Sequence, residues 1–185
     1  MNDAARKAET HCRLARTRDS QILARMSRDY IETGLGWSWR ANRIDRFIHA
    51  PDCVVVCAEH MGTPASESQL QGREICGFAI MEFGIDKAHL NLLAVIPAMR
   101  RYGVARTLLT WLEKSAKVAG TPQIDLEVRA TNAAAQQFYE KLGYQRCGTV
   151  PAYYNGREAA HRFQKNLFAS PSTEGTETDK GAKQP

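Results

Sequence analysis

A carboxylate, a phenol and a cluster of guanidinium groups are the side chains in this sequence best placed to do chemistry. Glu127 lies in Leu126-Glu127-Val128-Arg129, which reads as the end of a strand, and Tyr139 follows twelve residues later in a helical stretch opened by Asn132 and stopped by Gly143. A strand-to-helix reversal can bring two such side chains toward one cleft. There Glu127 can take a proton, directly or through water, and Tyr139 can release one. A phenol with a pKa near 10 is close enough to a thiol, about 8.5, to protonate a departing thiolate. Upstream, Arg100-Arg101-Tyr102-Gly103-Val104-Ala105 falls between an apolar run and a long amphipathic segment. The unpaired N–H groups and partial positive charge of a helix start suit a pyrophosphate. Gly103 permits close backbone approach, Ala105 keeps the wall low, and Arg101 and Arg106 add charge.

Plainer readings stay open on spacing alone. Glu127 can be a rim carboxylate paired with an arginine, and Tyr139 a helix residue with its ring in the core. Asn132 can simply cap its helix. The Arg100–Ala105 run can be a solvated basic turn.

The elements that must position these groups follow from periodicity. A short strand is expected at Cys12 to Ala15, and Asp19 caps a helix from Ser20 to about Thr33. Gly34 to Trp39 reads as a turn with exposed Trp37 and Trp39, followed by a helix from about Arg40 to His49. Strands at Cys53 to Glu59 and Ile75 to Ile85 form an antiparallel hairpin across the polar loop Gly62 to Gly72. His89 to Val95 is a central strand. Gly103 to Ala119 is a helix with the stripe Val104, Leu108, Trp111, Leu112 and Ala116. Gln123 to Arg129 is a strand, Asn132 to Leu142 a helix, and two strands close the run at Tyr144 to Tyr154 and Ala159 to Phe168. This order predicts an α+β fold, a mixed central sheet of six to seven strands flanked by about four helices. One domain is expected over residues 11–168, after a flexible start at 1–10 and before a disordered polar tail at 169–185.

Composition narrows the classes. The 185 residues suffice for one well-buried core and not for two. No run is long enough to span a bilayer, and the charged start is not a secretory signal, so a cytoplasmic protein is expected. A net charge of +5 and a pI near 9.0 raise nucleic-acid binding, but the arginines are scattered and no recognition module accompanies them. The five cysteines lack zinc-site spacing, so buried reduced thiols and no metal are expected.

With these motifs in order, residues 12 to 168 resemble the GCN5-related N-acetyltransferase (GNAT) superfamily. Arg100 to Ala105 matches its acetyl-CoA signature, a Gln or Arg, two residues, Gly, one residue, then Gly or Ala. Leu126-Glu127-Val128-Arg129 with Asn132, Ala135, Tyr139 and Gly143-Tyr144 looks most like the bacterial ribosomal-protein-alanine N-acetyltransferases. The resemblance implies the GNAT fold and acetyl-CoA as co-substrate. It implies that Leu93, Ala94 and Val95 bind the pantetheine arm and that Arg101, Tyr102, Gly103, Val104, Ala105 and Arg106, with Arg100 ahead of them, cradle the pyrophosphate. It further implies Asn132 as a cofactor contact, Glu127 as general base and Tyr139 as general acid. Trp37, Trp39, Tyr153 and Tyr154 would line the acceptor site, and a homodimer is a partnership common in the superfamily. The long Gly62–Gly72 loop and the Trp37-Ser38-Trp39 turn depart from the subfamily, which separates the cofactor reading from the ribosomal substrate.

The leading expectation is direct acetyl transfer in a ternary complex to a primary amine, by preference a protein or peptide N-terminal α-amine. A small amine (polyamine, amino acid or antibiotic) is the alternative acceptor. A non-catalytic acyl-CoA-binding module is a third reading, disfavoured by the presence of both Glu127 and Tyr139.

Overall fold

Apolar side chains on both faces of the central strands dictate a sheet covered on each side. The structure, a computed structural model, describes residues 10–61 and 73–169. The elements run β1 (Thr10–Leu14), α1 (Ser20–Tyr30), α2 (Ala41–His49), β2 (Cys53–Met61), β3 (Arg73–Phe83), β4 (Lys87–Val95), α3 (Val104–Val118), β5 (Gln123–Arg129), α4 (Ala133–Lys141), β6 (Gln145–Tyr154) and β7 (Glu158–Asn166). The seven strands form one sheet in the order β1-β2-β3-β4-β5-β7-β6. This is the mixed sheet with four helices expected from the sequence. The flexible start, the Gly62–Gly72 loop and the polar tail lie outside the described residues, apart from the positions bordering them.

Strand alternation divides the core in two. Val56, Ala58, Ala79 and Met81 face α3 and α4, while Val55, Cys57, Phe78 and Ile80 face α1 and α2. On β4 this phase reverses midway. Ala88 and Leu90 belong to the first core, but Leu92 and Ala94 belong to the second. The register explains it: Met81 pairs with Leu90 and Ile80 with Leu92, so Asn91 is an extra residue and β4 bulges there. A bulge shifts the phase by one and turns every later side chain to the other face.

The second consequence falls on the neighbour. β4 and β5 run parallel but pair only from Lys87–Gln123 to His89–Asp125. Beyond that, β4 stays with β3 up to Val95, and β5 stays with β7 along its length, Gln123–Asn166 to Arg129–Ala160. The two strands part, and a wedge opens in the middle of the sheet with unpaired backbone on its β4 side.

A glycine seats α3 beside that wedge. A Cβ added to Gly77 on β3 would stand 3.0 Å from Ala94 O and from Val104 Cγ1. Only a residue without a side chain lets the first turn of α3 press onto the end of β4 at this spacing. Element ends differ from expectation by a few residues. α1 stops at Tyr30 rather than near Thr33, because the N–H groups of Ile31 and Glu32 both turn back to Ser27 O, each at 2.9 Å.

Candidate active site

A cavity of about 420 Å³ fills the wedge between β4 and β5 and reaches the α1–α2 connection and the β6–β7 turn. Glu127 and Tyr139 both line it. Glu127 is not free. Its Oε2 accepts a hydrogen bond from His89 Nε2 at 2.6 Å, and its Oε1 accepts from Arg162 Nε at 3.2 Å. Parallel pairing sets His89 of β4 near β5 just where the strands divide, and antiparallel pairing sets Arg162 of β7 directly opposite Glu127. The bond from His89 is the largest influence holding Glu127 below the usual carboxylate range, overcoming partial burial. In return the carboxylate raises the His89 imidazole above its ordinary value. The other ring nitrogen, Nδ1, meets the Oδ1 of the bulge residue Asn91 at 3.2 Å. At neutral pH the site therefore presents an ionised carboxylate braced by two basic groups.

The plain rim-pair reading of Glu127 is thus half correct: an arginine does hold it, together with a histidine and inside the cavity. Tyr139 combines both of its readings. Its ring is buried against Phe138, Tyr144 and Phe163, yet it borders the cavity. Burial pushes its phenol well above 10. That widens the gap to a thiol, so the near match of ordinary pKa values does not describe this tyrosine.

Another wall is the α1–α2 connection. Glu32 is buried and accepts four hydrogen bonds: from Ser27 Oγ at 3.0 Å, Ser38 N at 2.7 Å, Ser38 Oγ at 2.6 Å and Trp39 N at 3.1 Å. These donors outweigh burial and hold its carboxyl below the usual range. The clamp fixes Trp39, which is 7% exposed and packs against Phe47 with centroids 4.8 Å apart. The expectation of two exposed tryptophans is corrected here: Trp39 is anchored in the second core because Glu32 draws its backbone inward. Trp39 still lines the cavity, while Trp37 does not; its indole donates to Trp39 O at 3.2 Å and carries Arg28 and Arg40 over its ring. Tyr153 and Tyr154 line the third wall, edge to face at 4.9 Å. Burial pushes the Tyr154 phenol up to about 12.

Of the residues expected to hold a cofactor, Leu93 and Asn132 border this cavity, and Asn132 also caps α4, its Oδ1 accepting from Ala135 N at 3.1 Å. Ala94 and Val95 are buried beside it. Arg100 to Arg106 lie apart from the lining, at the start of α3. Gly103 has φ +86° and open space where a Cβ would be. The first helical bond closes from Thr107 N to Gly103 O at 2.9 Å, so the earlier N–H groups of the turn point out of the helix. Arg101 holds a positive φ of 69°. Arg100, by contrast, turns inward, donating to Val95 O at 3.3 Å and approaching the Tyr30 ring. A cradle of free N–H groups ringed by Tyr102, Val104, Ala105 and the exposed Arg101 and Arg106 fits a pyrophosphate.

Sequence reasoning missed His89, Arg162, Glu32 and Arg43. His89 and Asn91 carried a signal, two polar residues interrupting a central apolar strand. Arg162 becomes visible only through its register, and Glu32 through the turn it clamps. Among the described residues no group of His, Cys, Asp or Glu has metal-site geometry, and the cysteines are free: Cys57 and Cys76 are buried as expected, Cys12 and Cys53 only partly, and Cys147 is at the surface.

A wedge between parted parallel strands, a helix start free for phosphate and an ionisable pair at the throat define an acyltransferase architecture. Residues 22–144 match the family model described as Acetyltransferase (GNAT) family, and the chain belongs to this family. It is an acetyl-CoA-dependent N-acetyltransferase. A similar relative is the ribosomal protein bS18-alanine N-acetyltransferase of Escherichia coli strain K12, 39% identical over 125 residues, covering 65% of this chain and 84% of the relative. The crystal structure of the ribosomal-protein-S18-alanine N-acetyltransferase from Escherichia coli superposes with TM-score 0.69 at 23% identity, covering 89% of this chain and 97% of that one. Arabidopsis thaliana NAA60 in complex with acetyl-CoA superposes with TM-score 0.71 at 17% identity, covering 85% and 98%. These two likenesses concern the fold.

Proposed function

We propose that the acceptor is a protein or peptide N-terminal α-amine, with Glu127 as the base and Tyr139 as the donor to the leaving sulfur. The carrying observation is Glu127 at the division of β4 and β5, bonded to His89 at 2.6 Å in a cavity whose outer wall is the Tyr153–Tyr154 pair. A carboxylate held below its ordinary 4.5 is a weak proton acceptor. Taking a proton from an α-ammonium of pKa near 8 costs at least about 5 kcal/mol, and from lysine near 10.4 about 3 kcal/mol more. The easier amine suits this base. Glu127 takes the ammonium proton, directly or through an intervening water, while His89 keeps its hydrogen bond to the carboxylate from behind.

When bound, acetyl-CoA supplies an activated thioester. Leu93, Ala94 and Val95 would hold its arm through backbone groups, Asn132 would contact it, and Arg101 to Arg106 would hold its phosphates. Tyr139 is protonated at neutral pH, and because burial raises its phenol further it acts first as a hydrogen-bond donor to the departing sulfur, giving up its proton only as negative charge builds there. The 39% identical relative is a protein-alanine N-acetyltransferase, which supports the same acceptor class. Thiol release from acetyl-CoA measured with peptides varied at the first residue, beside spermidine and free lysine, tests this. Selective turnover of peptide α-amines is expected; turnover on small amines alone refutes the acceptor assignment.

A further inference from the structure

The charged groups lining the cavity are Glu32, Arg43, His89, Glu127 and Arg129, and four of them are committed. Both oxygens of Glu32 are filled by Ser27, Ser38 and Trp39. Glu127 is shared between His89 and Arg162. Arg129 faces Glu158 at 3.5 Å and donates to Ile31 O at 3.2 Å and Thr33 O at 2.9 Å. Arg43 is the exception. Its guanidinium lies over the Trp39 ring, 3.9 Å from the centroid, and 5.9 Å from the Phe47 centroid. Among the described residues it has no carboxylate partner.

Stacking uses the face of a guanidinium and leaves its edge N–H groups free to donate in a fork that matches a carboxylate. The stack also fixes the fork in place: Trp39 is locked by Glu32, and Arg43 lies on Trp39. An arginine held rigid in a half-buried cavity is an electrostatic demand for an anion that the folded chain leaves unmet. The position is on α2, beside the α1–α2 connection that lines the cavity with Glu32, Ser38 and Trp39.

We propose that Arg43 is a specificity-determining residue that binds a carboxylate of the acceptor, so that the preferred substrate is an N-terminus with an acidic side chain close behind its α-amine. This rests on the α-amine reading above and deepens it. An acidic residue pairs with Arg43 while the amine faces Glu127, and the two charges of the acceptor are read by two different groups lining one cavity. A polycation has nothing to offer that wall and meets repulsion there.

The test uses the full chain, acetyl-CoA and peptides that differ only by Asp, Asn or Lys, placed in turn at the second and third residues. The wild type should favour Asp over Asn by at least about tenfold in kcat/KM at one of these positions. In Arg43→Gln that ratio should collapse toward one, and in Arg43→Glu the Lys peptide should overtake the Asp peptide. Ratios within one variant are independent of how much enzyme is folded, and a gained preference for Lys is not a result misfolding can give. Equal turnover of Asp and Asn peptides at both positions, or an unchanged ratio in Arg43→Gln, overturns this inference alone. Turnover confined to spermidine overturns it together with the α-amine reading.

Discussion

The two halves of the cavity are built by different means. The side toward α3 is backbone and close packing: a bulge at Asn91, unpaired β4 edge, and α3 pressed onto Gly77 with Val104, Leu108 and Leu112 almost wholly buried. The acceptor side is side-chain electrostatics on thinly packed elements. β6 is exposed along nearly its whole length, its pairing with β7 slips between Val150 and Tyr154, and Ala152 takes a positive φ of 53° there. A cofactor common to a family is held by backbone geometry that many sequences can adopt. On the acceptor reading proposed above, a particular acceptor would be chosen by Arg43, Tyr153 and Tyr154, side chains that line the cavity and can change without disturbing the sheet.

The largest effect separating chemistry from scaffold is expected at the throat. Glu127→Gln keeps shape and removes the charge, and kcat should fall by about 10²–10⁴, far more than the lost pairing with His89 and Arg162 lowers stability. Tyr139→Phe keeps the packing against Phe138, Tyr144 and Phe163 and removes only the hydroxyl. A kcat loss of about 10²-fold with acetyl-CoA KM unaltered is expected. An unimpaired Tyr139→Phe enzyme would return this residue to the core and place the leaving-group donor elsewhere.

Gly77→Ala strikes the backbone-built half. Its Cβ would meet Ala94 O and Val104 Cγ1 at 3.0 Å and Leu108 Cδ1 at 3.2 Å, so α3 must move off the sheet. A stability loss of about 1–3 kcal/mol is expected by denaturant titration, with a raised acetyl-CoA KM and an unchanged ranking of acceptors. If acceptor ranking shifts as well, the two halves are not separable.

Legibility in the sequence divides along the same line. The strand Gln123–Arg129 is found with the ends its pattern predicts, and the stripe of α3 is buried as its period requires except at Trp111, which is only partly covered. Periodicity and glycine carry backbone information in consecutive residues. His89, Glu127 and Arg162 are 38 and 35 positions apart, and their meeting depends on a parallel pairing and a strand order that no local pattern states. Trp39 was misjudged for a similar reason. Its burial follows from Glu32, seven residues earlier, turning a charged side chain inward against the usual expectation for a carboxylate.

His89→Gln probes how far the throat depends on a charged pair. His89 is raised above its ordinary 6.5, so its stabilisation is complete below that pH and is lost as pH rises through the folded value. Glu127 is depressed below 4.5, so its share is present above that pH and is lost as pH falls through the folded value. The wild type should therefore exceed the variant in stability most between about pH 4.5 and 6.5, the margin shrinking on the alkaline side. If the charged brace is what the throat needs, the kcat/KM profile should lose one ionisation from its falling limb. Parallel stability curves across pH 5 to 9 would show that His89 contributes no titrating charge.

Asn132 gives the smallest effect and the finest division, because one side chain stands at the border of both halves. Its Oδ1 caps α4 while the residue lines the cavity. Asn132→Ala should cost about 1 kcal/mol of stability through the lost cap. Asn132→Asp retains an oxygen for Ala135 N–H, so stability should hold, but it loses the amide donor and adds a negative charge where an anionic cofactor would pass. A raised acetyl-CoA KM in both variants, with stability reduced only in the alanine variant, assigns Asn132 two roles. Stability reduced in the alanine variant with KM constant in both leaves it a cap alone, and the cofactor contact on that side then falls to the unpaired backbone of β4.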